Sequence, residues 1–202
     1  MINLYEFSAS GNCHKIRMML SMLGVNYTSI VVDGNNQAHK SPEFLALNPF
    51  GQVPVLTDGT IVLRDSQAIL FYLAQTYGQG TWLPNDPVSV SKVVAWLSTA
   101  VLEVSQGPAM LRQHYKFGRQ IDKAAVETMT ANLFQILETH LSKTAWMVGT
   151  LPTIADIALY PYIALAREGH WDFSPYPGVR AWLGRIRALP GYVGMPGLYE
   201  ED

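Results

Sequence analysis

The chain predicts an α/β unit followed by an all-α unit, and three observations carry that prediction. Extended, β-branched runs occur only before residue 65. A segment holding Gly78, Gly80, Pro84, Asn85, Asp86 and Pro87 then reads as a linker. Beyond it, apolar residues recur only at helical spacing. The expected boundaries are 1–77 for the first unit, 78–87 for the linker and 88–202 for the helical unit.

In chain order, Met1–Phe7 is a short β-rich run. Cys13–Gly24 places Ile16, Met19, Leu20 and Leu23 at i, i+3, i+4, i+7, the stripe of an amphipathic helix that Gly24 ends. Lys15 and Arg17 are expected on its solvated face. Asn26–Asp33 is a second strand, so the crossover makes it parallel to the first. A brief helical turn is expected over Ser41–Leu47. Val53–Leu56 and Ile61–Leu63, joined through Asp58-Gly59, read as a hairpin. A helix opens at Asp65, turns Ile69, Tyr72 and Leu73 inward and stops at Gly78. This first unit reads as complete in itself.

Helices follow. Val88–Leu111 repeats apolar residues through Val93, Trp96, Leu97, Ala100, Val101 and Val104, with Gly107-Pro108 bending or ending it. Asp122–Lys143 aligns Met129, Leu133, Ile136 and Leu137. Thr153–Arg167 is nearly all apolar, hence central, with Pro161 as a kink. Val179, Trp182, Leu183, Ile186 and Leu189 form the last stripe.

Composition excludes several classes. The hydrophobic content of 49% and charged content of 15% describe a globular chain. The 16 acidic and 14 basic residues nearly cancel, which argues against nucleic acid as a partner. Gln67, Gln75, Thr76 and Gln79 interrupt the uncharged stretch Ser66–Asn85, so no membrane span is expected there. Met1–Tyr5 does not resemble a secretory leader, and the single Cys leaves no internal disulfide. A cytoplasmic location is expected. No His/Cys/Asp cluster has metal-ligand spacing, and no metal is expected.

The candidate site gathers around Asn48-Pro-Phe-Gly-Gln-Val-Pro-Val-Leu56 and Arg64-Asp-Ser66. Val53 before Pro54 is non-helical, and the bond between them is a candidate for the cis isomer. The N–H and C=O of Val53 are therefore available to a peptide-like ligand, which would add as an extra strand. Asp65-Ser66 open an apolar helix, whose N-terminal donors favour an anion.

These stretches, with Ser8-Ala-Ser-Gly-Asn-Cys-His-Lys15 and the helix-start signature Thr153-Ile-Ala-Asp156, resemble the soluble glutathione transferase family over essentially the whole length. The serine-type first loop is similar to that of theta-, delta- and nu-like members. The resemblance implies a thioredoxin-like first domain and a helical second domain that bears much of the pocket for an electrophile. It also implies glutathione as co-substrate and a homodimer.

By motif position, Asp65 would accept from the γ-glutamyl ammonium, and Ser66 would donate to the adjoining carboxylate. Val53 and Pro54 would present the backbone to the cysteinyl unit. His39, Gln52 and Lys40 would meet the glycine carboxylate. A free thiol titrates near ~8.5, so a hydroxyl donor that stabilises thiolate is the core of the chemistry. Ser10 is the first choice, Ser8 the second, and Asn12 a third on the nu-like pattern. Cys13 stands later than the thiol of beta- and omega-like members and reads as a small packed residue; mixed-disulfide chemistry is the alternative. Gln106, Met110, Gln113, His114, Tyr115, Trp171 and Phe173 are candidates for the second-substrate pocket. Phe50 is the candidate dimer contact, with burial in its own domain as the other reading.

The functions implied are, in order, addition of glutathione to a small hydrophobic electrophile, nu-like disulfide or peroxide reduction, and a non-catalytic interaction module. Zeta-like isomerisation comes last, since its Ser-Ser-Cys loop is missing.

Overall fold

The structure, a computed structural model, describes residues 1–200. Its first part holds β1 (Ile2–Glu6), α1 (Gly11–Met22), β2 (Tyr27–Val31), α2 (Pro42–Leu47), β3 (Val55–Asp58), β4 (Ile61–Arg64) and α3 (Ser66–Tyr77). The strand order is β2-β1-β3-β4. The β1–β2 pair is parallel and the others are antiparallel, as a crossover followed by a hairpin requires. Ile2, Leu4 and Leu56 point into the main core with α1 and α3. Val55 and Val32 pack with Phe44 of α2 on the other face.

The second part is α4 (Pro87–Val101), α5 (Glu103–Gln106), α6 (Pro108–Phe117), α7 (Lys123–Leu141), α8 (Ile154–Ala164) and α9 (Pro177–Arg187). The run expected as one helix over 88–111 is three. The helix is interrupted at Leu102, where ψ is distorted to −76°, and again at Gly107, which leaves helical geometry before Pro108, a residue with no N–H to carry the ladder on. Pro87–Phe117 has the length and apolarity of a membrane span, yet it is broken at those two points, and only 17% of its most apolar part is buried. Val101, Met129 and Ile136, expected inward, are more than a third exposed.

α8 is the central pillar. Every described side chain from Ile154 to Tyr160 is fully buried. Thr153 and Asp156 form the expected capping box: Asp156 accepts from Thr153 N at 2.8 Å, Met147 N at 3.0 Å, Trp182 Nε1 at 2.9 Å and Thr153 Oγ1 at 3.2 Å.

One apolar core runs from Ile2 and Leu4 through Ile16 and Ile69 to Trp182, so the first unit is not complete in itself. α1 packs against both α3 and α8, which reverses the expected solvated face of that helix. Lys15 is 1% exposed, and Arg17 pairs with the buried Glu6 carboxylate.

Candidate functional site

Two helix starts meet at the C-terminal edge of the sheet. Ser10 caps α1 in extended geometry, and its Oγ accepts from Cys13 N at 3.3 Å. That bond uses an oxygen lone pair and leaves the hydroxyl proton free to donate. Asp65 caps α3, with Oδ1 accepting from Gln67 N at 2.8 Å and Ala68 N at 3.2 Å. Its φ of 72° lies in the left-handed region, an uncommon place for a residue other than glycine. Such strain is typical of ligand clamps. Ser66 is buried, and its Oγ donates to Asn12 Oδ1 at 3.5 Å, linking the two helix starts.

The other expected residues ring this point. The Val53–Pro54 bond is cis, and the β1–β3 register begins only at Val55, leaving Val53 outside the sheet. Gln52 is exposed, while its carbonyl accepts from Asn48 Nδ2 at 2.7 Å. Lys40 Nζ donates to the carbonyls of Phe50 (3.1 Å) and Gly51 (2.9 Å), so it braces the turn beside the site. Gly51 has φ +57°, and a Cβ there would lie 2.7 Å from His39 O. The His39 ring stands edge-on to Phe7, with Nδ1 buried and unpartnered. Ser8 is exposed and offers its carbonyl to Arg17 Nη2 at 3.1 Å.

Cys13 is fully buried, and burial pushes its thiol up to about 11. It is therefore a protonated packing group at neutral pH. Lys15 lies beneath the site, 5.8 Å from the Tyr162 ring centroid. Burial lowers its ammonium to about 7, with Asp65 and Cys13 acting the other way. His14 is buried with neither ring nitrogen partnered. Burial and then the Arg17 charge bring it down to about 3, so it is neutral.

A cavity of about 390 Å³ opens beside Ser10, lined by Phe7, Ala9, Ser10, Arg112, Gln113, Phe117, Arg119 and Tyr162. Of the residues expected here, only Gln113 and Ser10 are on that wall. Tyr115 stacks on His170 at 4.1 Å, and His114 Nδ1 is 2.8 Å from Arg119 O. Trp171 and Phe173 line a separate pocket against Phe134, and Met110 is half-buried off the wall. α6 turns Arg112, Gln113 and Phe117 to the cavity.

Tyr162 and Arg112 are the main residues that sequence reasoning missed. The Tyr162 ring lies flat on Gly11, where a Cβ would come within 2.8 Å of Cζ. Burial raises its phenol, while Arg112, the Asn12 N–H and the Ser10 hydroxyl pull the other way, placing the phenol among those groups. Arg112, 3% exposed, donates through Nε to Glu168 Oε2 at 2.5 Å and through Nη1 to Ala9 O at 2.9 Å. The available signals were faint: a glycine directly after the capping serine, and a charge breaking the buried side of α6.

A four-stranded mixed sheet with its helices, followed by a helical domain, is the architecture of the glutathione transferase fold. Residues 9–76 match the family model described as glutathione S-transferase, N-terminal domain, and 94–190 match glutathione S-transferase, C-terminal domain. Glutathione S-transferase 3 of Zea mays is 33% identical, over 95% of this chain and 91% of its own. The disulfide-bond oxidoreductase YfcG of Escherichia coli is 31% identical, over 94% and 92%. A crystal structure of a glutathione S-transferase from Xanthobacter autotrophicus superposes with a TM-score of 0.89 at 32% identity, covering 98% of each chain. The chain belongs to the glutathione transferase family.

Proposed function

We propose that this glutathione transferase holds glutathione across the starts of α1 and α3, stabilises its thiolate through Ser10, and delivers it to a small electrophile in the cavity beside α6. The observation that carries the reading is the junction of the two helix starts, with Ser66 Oγ 3.5 Å from Asn12 Oδ1 and the strained Asp65 at its edge. Asp65 keeps Oδ2 for the γ-glutamyl ammonium, and Ser66 with the α3 N–H groups meets the carboxylate. Val53 pairs with the cysteinyl backbone. His39 and Gln52 take the glycine carboxylate, and Lys40 adds charge.

The thiol proton leaves to solvent, and the Ser10 hydroxyl donates to the sulfur anion. Sulfur then bonds to the electrophilic carbon as the leaving group departs with its electron pair.

Glutathione-dependent disulfide reduction is a second reading, supported by the place of Asn12 at the junction. Cys13, buried and protonated, supplies no sulfur for it. Two bound glutathiones would then reduce one disulfide and leave as their own disulfide.

The working form is proposed to be a cytoplasmic homodimer. Phe50 is 59% exposed under the Arg64 guanidinium at 4.6 Å, and Phe71, Val94 and Val101 add exposed apolar surface.

Calorimetry with glutathione at neutral pH, combined with ultraviolet difference spectra for thiolate, tests the reading. Micromolar-to-millimolar binding with a thiolate band is the expected result. No binding at millimolar glutathione would sink it.

A further inference from the structure

We infer that the cavity beside Ser10 selects electrophiles that carry a carboxylate, with Arg112 as its anchor and Arg119 at its rim; the inference rests on the glutathione reading above.

The guanidinium of Arg112 has three donor groups. Glu168 takes Nε and the Ala9 carbonyl takes Nη1, while Nη2 is buried with no acceptor. An arginine donor in that position carries a desolvation penalty that an acceptor of its own would remove. The protein supplies none among the described residues. The cavity wall holds two arginines, Arg112 and Arg119, and no acidic residue. Glu168, which is not on that wall, is shared between Arg112 and Lys116. Glu168 thus answers two cations, while Arg119 adds a positive charge to the wall with its Nη1 on the neutral Gln113 Oε1.

Guanidinium planes match carboxylates with two parallel hydrogen bonds, which favours a planar oxyanion over a single polar atom. The Phe117 ring lies 5.4 Å from the Arg112 guanidinium carbon and is 57% exposed, so it forms a roof that a ligand can displace. Phe7 and the Tyr162 ring supply apolar wall for a flat body. Because Ser10 is on the same wall, a carboxylate held by Arg112 directs the ring it is attached to, and the halogen-bearing carbon at the ring's far end, towards the glutathione sulfur. An aryl acid fits the 390 Å³ available.

The test uses 4-chloro-3-nitrobenzoate and its methyl ester. In both, the C–S bond forms as the C–Cl bond breaks, chloride leaves with the electron pair, and the thiol proton goes to buffer. Each kcat/KM is divided by the uncatalysed rate constant with glutathione. The expected acid-over-ester preference is tenfold or more. Arg112→Gln should bring it near unity, Arg112→Lys should restore part of it, and Arg119→Gln should lower it about threefold through KM. A normalised ratio of one or less in the wild type overturns the inference, as does an equal loss for acid and ester in Arg112→Gln.

Since Arg112 also tethers Ala9, its variants can misfold. Binding of 3-nitrobenzoate against 3-nitrobenzamide to the wild-type protein, without glutathione, is the second measurement. Tighter binding of the anion, weakening with salt, supports the inference; equal binding overturns it. Glutathione calorimetry on the same sample separates the two failures. Absent glutathione binding removes the transferase reading, and the nitrobenzoate pair alone then decides the carboxylate site.

Discussion

Asp65 and Asp156 both stand at the start of a helix, and the chain uses them in opposite ways. Asp156 is fully buried at the third residue position of the α8 start, with four donors on its two oxygens. Asp65 is exposed at the cap of α3, spends one oxygen on two N–H groups, and holds a backbone φ of 72°. Saturation with relaxed geometry marks the first as scaffold. Spare capacity with strain is what supports the binding role proposed for the second. A helix-start acid is thus a sign of fold or of site according to what remains unspent.

The contrast is easiest to break at Asp156. Asp156→Ala leaves two buried backbone N–H groups and an indole N–H without acceptors and should cost about 4 kcal/mol or more in urea unfolding. A loss below about 1 kcal/mol would mean that water or repacking replaces the carboxylate.

Acid should act on the scaffold before the site, through His14. Its folded-state value, about 3, is below the unfolded 6.5, so between these limits the unfolded chain binds the extra proton. Stability is complete above about pH 6.5 and falls as pH drops towards 3, by roughly 3 kcal/mol at pH 4. His14→Leu should flatten the profile in that window; an unchanged slope would assign the acid sensitivity elsewhere.

Asp65→Ala should do the reverse of Asp156→Ala. Glutathione Kd should rise about 30-fold while stability falls by only about 1–2 kcal/mol, the value of a lost cap at a position where alanine keeps the backbone strain. Ser10→Ala sharpens the comparison further, because Ser10 is the cap of α1 and the proposed donor to sulfur. About a tenfold fall in kcat with KM for glutathione within twofold is expected. An unchanged kcat would pass the role to Ser8 or Asn12. Last, Phe50→Ser should lower the solution mass from dimer towards monomer in light scattering.

Local features were legible in the sequence because their signals are local. The Asp58-Gly59 hairpin, the Thr153-Ile-Ala-Asp156 cap and the stop at Gly78 each depend on a few neighbouring residues. The approach of α6 and α8 to the Ser10 loop was not legible. Nothing near Arg112 in sequence says that its guanidinium ends on the Ala9 carbonyl, 103 residues away. Lys15 failed for the same reason. Its spacing fits a solvated face, and only the packing of α8 on α1 submerges it. Of the α6 residues named for the pocket, Gln113 lines the cavity while Met110, His114 and Tyr115 do not, since side-chain type does not report helix rotation.

The Tyr162 ring seated on Gly11 has a consequence for how the molecule comes apart. With the Ala9 tether and a single core, it makes the loop before α1 a shared possession of both sequence halves. Cutting the chain within 78–87 would leave the halves clasped, because Ile154 N still donates to Trp82 O and α8 still fills the space under α1. Cooperativity then belongs to the whole chain: melting either half dissolves the cavity beside Ser10, and the loop before α1 has no folded existence of its own.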